Sequence, residues 1–133
     1  MFIDTLFCVD LMRERKRNQT GPAIIKLKEL GRAEIFSSIF VFCELQAGAR
    51  MSKNIDEELK RVNTLFELVT IVYPDKYFAV AYGEVEAELW KKGMPIPTMD
   101  LLIGVTAKIH GLPLITRDKT HFQKIEGLLI EVY

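Results

Sequence analysis

Residues 98–118, TMDLLIGVTAKIHGLPLITRD, contain the pattern that decides the fold. A threonine precedes an apolar stretch with helical spacing, and Gly111 marks the end of that helix. The short apolar run from Leu112 to Thr116 then predicts a buried strand. An acid, Asp118, follows two residues after it. A helix that leads directly into a buried strand is typical of folds in which strands and helices alternate.

The same alternation extends along the whole 133-residue sequence. Short apolar runs predict strands at Phe2 to Val9, Glu34 to Ser37, Thr70 to Tyr73, Leu112 to Thr116 and Leu128 to Val132. Helices are predicted over residues 10–17, 22–30, 39–51, 56–69, 75–92 and 98–110, with Ser37 or Ser38 capping the third and Thr98 the last. This order predicts an α/β fold: one domain over residues 1–133, with a mainly parallel five-stranded sheet and helices on both faces.

Composition limits the kind of protein this is. Apolar residues make up 49% of the chain, enough for a core, and the 18 basic and 18 acidic residues give no net charge. A protein that binds polyanions through overall positive charge is therefore disfavoured. The longest uncharged stretch, Ile35 to Cys43, is too short to span a membrane, and no basic leader precedes an apolar run. We expect a cytoplasmic protein whose two cysteines, Cys8 and Cys43, are reduced and packed as small hydrophobes.

Two acids lie where an apolar environment is predicted. Asp4 is within the first predicted strand, where an unpaired carboxylate would cost several kcal/mol. Glu44 interrupts the run Ile39 to Leu45 and is the only acid of a helix that is apolar nearly all round. Gly48, one turn later, leaves space beside it. The alternative for Asp4 is a hydrogen-bonded structural residue, and the alternative for Glu44 is a solvated surface residue.

Two further acids follow at predicted element ends. Asp100 is in the first turn of its helix, where it could simply stabilise the helix dipole, but the small residues Gly104 and Ala107 share its face and would allow a close approach. Asp118 comes after the fourth strand, where it could be an ordinary turn residue. Thr116 is placed to hydrogen-bond a carboxylate or a bound water.

The carboxyl ends of parallel strands meet at one edge of the sheet, so Asp4, Glu44, Asp100 and Asp118 can converge there. Four carboxylates in one pit cannot all ionise without a counter-charge. No cysteine or histidine cluster accompanies them, and an all-oxygen site suits Mg²⁺ or Mn²⁺, not zinc. Such ions activate water and stabilise displacement at phosphorus.

Basic residues are predicted around this acidic edge. Without the four acids, the chain has 14 acidic against 18 basic residues. We expect Arg13, Arg15, Arg50 and Arg117 to contact a substrate, since a negative pit with a positive rim would hold a nucleic-acid backbone around metal ions. A solvated helix face is the alternative for the run from Arg13 to Arg17.

These acids, in this order, resemble those of the PIN-domain ribonucleases, and in particular the VapC-like toxins of VapBC toxin–antitoxin systems. The match covers the whole chain. Ile3-Asp4-Thr5 resembles the first acidic motif and Glu44-Leu45 the second. Met99 to Ile103, and Leu114 to Asp118, resemble the third and fourth. Each motif is short, and the ordered set at matching spacing is the specific feature.

The resemblance implies a metal-dependent endoribonuclease acting on structured RNA such as tRNA or rRNA. It also implies a homodimer and a cognate antitoxin that blocks the acidic pocket. By analogy, the four acids would bind Mg²⁺ or Mn²⁺, with Thr116 in support. His121, near the fourth acid, is expected to be a surface histidine.

Two alternatives stay open. The family usually has Asn or Ser two residues after the first Asp, where this chain has Leu6. Leu6 and Asp4 would share one face of the predicted strand, so the site would lack a polar group that orients metal or water. This motivates a non-catalytic PIN-fold binding module as one alternative. The other is a PIN nuclease that processes RNA without an antitoxin.

Overall fold

A computed structural model describes all 133 residues. Strands are separated by helices along the whole chain, and in three places two helices follow one another directly. The elements are β1 (Phe2–Ile3), α1 (Thr5–Lys16), α2 (Pro22–Leu30), β2 (Phe36–Ser38), α3 (Ile39–Arg50), α4 (Ile55–Phe66), β3 (Thr70–Val72), α5 (Lys76–Lys91), α6 (Thr98–Ile109), β4 (Leu114–Ile115), α7 (Lys119–Phe122) and β5 (Ile130–Glu131). None of the helices has the length and apolar character needed to cross a lipid bilayer.

The five strands form one sheet in the order β3-β2-β1-β4-β5, and every pair is parallel. Phe2 of the central strand lies opposite Phe36 on one side and Leu114 on the other. The carboxyl ends of β1 and β4 are therefore adjacent, which places the residues that follow them together. The predicted α/β class and five-stranded parallel sheet are confirmed.

The first strand is much shorter than predicted. The apolar run continues into α1, with Phe7, Cys8 and Leu11 buried. A short apolar run fits a buried strand and a buried helix equally well, which explains the error. Asp4 decides between them, because its Oδ1 accepts a hydrogen bond from the Phe7 amide at 2.7 Å and so caps α1. Leu6 therefore lies in the first turn of a helix, not on a strand face shared with Asp4.

Other boundaries lie within a few residues of those predicted. The Ser38 hydroxyl accepts from the Val41 amide at 3.2 Å and caps α3, as expected. The second strand begins at Phe36 rather than Glu34, because pairing with β1 starts where the Phe36 amide donates to the Met1 carbonyl. Thr98 does not cap α6: it is the first residue of that helix, and Pro97 occupies the cap position.

The core is one cluster of 23 buried residues on and around the sheet. It contains Cys8, whereas Cys43 is exposed, so the expectation that both cysteines are buried is wrong for Cys43. The prediction that α3 is buried all round is wrong too, because Ala47 and Gly48 also face solvent.

The aromatic residues that precede and open α5 divide between core and surface. Phe78 is buried, and its ring lies 6.1 Å from that of Tyr82. Tyr73 and Tyr77 are 65% and 69% exposed. Core packing, the default expectation for this cluster, is therefore wrong for these two tyrosines.

Candidate active site

Asp4 lies at the carboxyl end of β1 and is 2% exposed. The pKa of its carboxyl is raised to about 6, chiefly by burial and in smaller part by the nearby acids Asp100 and Asp118, against the opposing effect of hydrogen bonds from the Thr116 hydroxyl and the Phe7 amide. Thr116 also accepts from the Asp118 amide at 2.9 Å. This buried threonine thus links the residues that follow the two adjacent strands, in the supporting position expected for it.

Asp100 lies in the first turn of α6, and its side chain is about one-quarter exposed. Burial raises the pKa of this carboxyl, and the charge of Asp118 adds to the rise, whereas His121 opposes it. Asp118 follows β4 and caps the short helix α7, where its Oδ1 accepts from the Thr120 amide at 2.9 Å. The structure therefore brings two distant acids to one place, as the sequence predicted.

His121 lies between these two acids. Its Nδ1 is 2.9 Å from Asp100 Oδ2 and 3.2 Å from Asp118 Oδ2. The Nδ1 atom is buried, yet it makes no hydrogen bond of acceptable geometry. His121 was expected near the fourth acid as a surface histidine; its side chain is only one-third exposed, and its Nδ1 faces both acids. A sequence signal was available in the spacing Asp118-x-x-His121, which places both side chains on one face of a helical turn.

The packing of α7 against α6 explains why His121 reaches Asp100. Gly104 lies one turn beyond Asp100, and a Cβ there would be 2.4 Å from Ile125 Cδ1 and 3.2 Å from Phe122 Cδ1. The small side chain predicted to allow a close approach thus accommodates the chain's own apolar residues. Their contact fixes the segment that carries His121.

Glu44 is placed apart from this cluster. Its Oε2 accepts a hydrogen bond from the Thr5 hydroxyl, next to Asp4 in the chain. It lines a groove of about 380 Å³ between α1, α3 and α4, to which Gly48 contributes open space as expected. Thr5 thus connects Glu44 to Asp4, its neighbour in the chain.

Two of the four predicted arginines lie together. Asp10, 7% exposed, bonds Arg13 at 3.3 Å, Arg117 at 3.0 Å and the Tyr133 hydroxyl at 2.9 Å. These groups line a cleft of about 310 Å³ with Arg17. Sequence reasoning missed Asp10, because two of its three partners, Arg117 and Tyr133, are distant in sequence.

The other two predicted arginines lie elsewhere. Arg50 bonds to Gln46 of its own helix. Arg15 borders a separate, mostly apolar pocket that also contains Leu27 and Leu68. The structure therefore does not place the four predicted arginines on one surface.

The donor set fits a divalent metal ion. Asp100, Asp118 and His121 each offer one ligand atom, and these atoms lie within 4.8 Å of one another. A bound cation would satisfy the buried Nδ1 that has no hydrogen bond, and would supply the counter-charge that the crowded carboxylates require. Asp4 is a third nearby carboxylate, since the charges of Asp100 and Asp118 contribute to its raised pKa.

Known proteins are similar to this chain in sequence and in fold. Residues 1–128 match the PIN-domain family. The chain is 30% identical over all its 133 residues to Ribonuclease VapC1 of Methanocaldococcus jannaschii, covering 86% of that protein. It is 26% identical over 129 residues to the tRNA(fMet)-specific endonuclease VapC of Salmonella typhimurium, covering 97% of this chain and 94% of that protein.

Solved structures agree. The fold superposes with a TM-score of 0.90 on a chain in the crystal structure of VapBC2 from Rickettsia felis bound to a DNA fragment from their promoter. That chain is 26% identical, and the match covers 99% of this chain and 97% of that one. The chain described here therefore belongs to the PIN-domain family, among the VapC ribonucleases.

Proposed function

We propose that this chain is a metal-dependent endoribonuclease that acts as the toxin of a toxin–antitoxin pair and cleaves structured RNA. One observation carries the proposal: the buried Asp4 and the Asp100–Asp118–His121 cluster meet at the carboxyl edge of a parallel sheet. The names of the relatives, which include a ribonuclease and a tRNA(fMet)-specific endonuclease, support RNA as the substrate. Residues 1–133 would act as one domain around the single core cluster.

Each predicted acid has a role in this proposal. Asp4, Asp100 and Asp118 would hold Mg²⁺ or Mn²⁺, which when bound supplies an activated water and neutralises charge on the phosphate. Thr116 would orient Asp4 through its hydroxyl. Glu44, held by Thr5 at the groove side, would complete the acidic set and face the approaching RNA.

The cleft lined by Arg13, Arg17 and Arg117, here called the basic cleft, would hold the RNA backbone. Arg13 and Arg117 share Asp10 as an ion-pair partner, and a phosphate can bind guanidinium N–H groups that point away from that carboxylate. Arg117 is adjacent to Asp118 in the sequence. An RNA backbone with one phosphate in the cleft could therefore continue toward the acids. Arg15 and Arg50, which lie elsewhere, would have weaker effects on RNA binding.

A cognate antitoxin and a second copy of this chain are the proposed partners. Relatives of known structure are VapBC complexes. The groove beside Glu44 combines apolar residues with Arg13 and Lys16, so it suits an amphipathic antitoxin segment. The exposed side chains of Tyr77, Val80 and Trp90 on α5 provide an apolar surface for a homodimer. RNA as substrate and free thiols favour a cytoplasmic location.

The test is cleavage of purified tRNA and rRNA by antitoxin-free protein with Mg²⁺, Mn²⁺ or EDTA. Asp100→Asn, purified identically, controls for contaminating nuclease. Discrete metal-dependent products from the unmodified protein alone would support the proposal. No cleavage together with metal affinity weaker than millimolar would instead support the non-catalytic binding module. Leu6→Asn, which restores a residue usual in the family at this position, would then be the first variant to assay for recovered activity.

A further inference from the structure

His121 is the one nitrogen donor in the acidic cluster. Its Nδ1 lies close to Asp100 Oδ2 and Asp118 Oδ2, at 2.9 and 3.2 Å. Neither contact meets the alignment criteria of a hydrogen bond, and the atom is closed off from solvent. The ring nitrogen therefore faces two carboxylates at ion-pair distance, and a cation placed between them could bind all three groups.

The position of the segment that carries the ring is fixed by packing. His121 lies in α7 next to Phe122, which is buried and contacts α6 over Gly104. Ile125, also buried, makes the closest approach to Gly104. The backbone that carries the imidazole is therefore held near the carboxylates by apolar contacts that do not depend on charge. Such preorganisation is what a metal ligand requires.

The donor types determine which ions fit. Mg²⁺ strongly prefers oxygen ligands and dehydrates reluctantly. Imidazole nitrogen binds transition-series ions much better than it binds Mg²⁺. Two carboxylates and one imidazole thus form a mixed site, different from the all-oxygen site that the sequence predicted.

We propose that His121 is a direct metal ligand together with Asp100 and Asp118, and that it makes the site prefer a transition-series divalent ion such as Mn²⁺ over Mg²⁺. This proposal rests on the metal dependence of the proposed function and adds to it the identity of a ligand and the class of ion. The competing possibility is that His121 only orients the two acids. In that case no bond between nitrogen and metal forms.

Pulsed electron paramagnetic resonance of Mn²⁺ added to metal-free protein tests the proposal directly. We expect a ¹⁴N coupling from imidazole in the wild-type protein and its loss in His121→Gln. His110→Gln is the matched control, because His110 is the only other histidine and its Nδ1 lies 2.8 Å from the Thr106 carbonyl oxygen at the end of α6. The coupling must persist in that variant. Its persistence would assign the nitrogen to His121 even if His121→Gln failed to fold.

Affinity provides a second readout. His121→Gln should weaken Mn²⁺ binding at least about tenfold, with a much smaller change in Mg²⁺ affinity. Bound Mn²⁺ without ¹⁴N coupling in the wild-type protein would overturn the proposal, as would equal losses of Mn²⁺ and Mg²⁺ affinity in the variant.

The outcomes separate this proposal from the proposed function. Nitrogen-coupled Mn²⁺ without RNA cleavage would uphold the ligand and reject the nuclease. RNA cleavage with no nitrogen coupling would uphold the nuclease and reject His121 as a ligand.

Discussion

Replacing Asp4 by asparagine should stabilise the metal-free protein at neutral pH, although it removes a carboxylate that the proposed site needs. Burial raises the pKa of Asp4 from its ordinary value of 3.8 to about 6. Since each pH unit of pKa change corresponds to about 1.4 kcal/mol, keeping this carboxyl ionised costs about 3 kcal/mol of folding free energy. Asparagine removes that cost, and its side-chain oxygen can still accept from the Phe7 amide and cap α1.

The gain should depend on pH in a definite direction. Below about pH 4 the Asp4 carboxyl is protonated in both folded and unfolded states, so the substitution has little effect. Between about pH 4 and 6 the folded protein keeps a proton that the unfolded chain loses, and the stability of the wild-type protein falls as pH rises. The difference in unfolding free energy between variant and wild type should therefore grow through this window and level off above it.

Urea unfolding in EDTA, from pH 4 to 8, measures this difference. Asp75→Asn is the matched control, because Asp75 also caps a helix through its side chain but is exposed. The control should differ from wild type by less than about 0.5 kcal/mol, as surface substitutions usually do. A difference for Asp4→Asn that does not change with pH, or a variant less stable than wild type at pH 8, would refute the explanation by burial.

Metal should narrow this difference in stability. Mn²⁺ at 100 times its dissociation constant stabilises a folded protein by about 2.7 kcal/mol. The wild-type protein should gain this amount, and Asp4→Asn should gain less because it offers one carboxylate fewer.

Three further outcomes are expected. Gly104→Ala should destabilise the protein by about 1–3 kcal/mol in urea unfolding, because its Cβ would overlap Ile125. The same variant should bind Mn²⁺ more weakly. Gly83→Ala is the control, because Gly83 lies in open space on α5 and its substitution should not destabilise the protein. Asp10→Asn should raise the KM for RNA more than it lowers kcat, because Arg13 and Arg117 would lose the carboxylate that holds them in the cleft. Equal KM values for variant and wild type would show that Asp10 does not position these arginines for RNA. Trp90→Glu should convert the proposed dimer to monomer in sedimentation analysis, whereas an unchanged mass would place the subunit interface elsewhere.

The sequence predicted the order of the elements because that order depends on local signals. Ser38 and Asp75 cap their helices, and Gly31 and Gly93 follow helix ends with φ of 59° and 65°, a conformation that glycine adopts without strain. Such signals involve residues within a few positions of one another. The end of β1 was missed because the deciding contact, from the Phe7 amide to Asp4, is a side-chain hydrogen bond that hydrophobicity does not reveal.

The site was predicted in part for a related reason. Strand ends in a parallel sheet must meet, which was enough to bring Asp4 and Asp118 to one edge. The position of His121 depends instead on the packing of Ile125 over Gly104, and that of Arg117 on its ion pair with Asp10. These contacts join parts of the chain far apart in sequence, and no local spacing encodes them.

The central strand of the sheet also determines when the site can assemble. β1 consists of the second and third residues, and its neighbour β4 is formed by Leu114 and Ile115. During translation the segment that carries Asp4 emerges first, and β2 is made long before β4. Asp4 cannot meet Asp100 and Asp118 until the ribosome has added both of those residues. The topology therefore prevents the three acids from coming together on any shorter nascent chain.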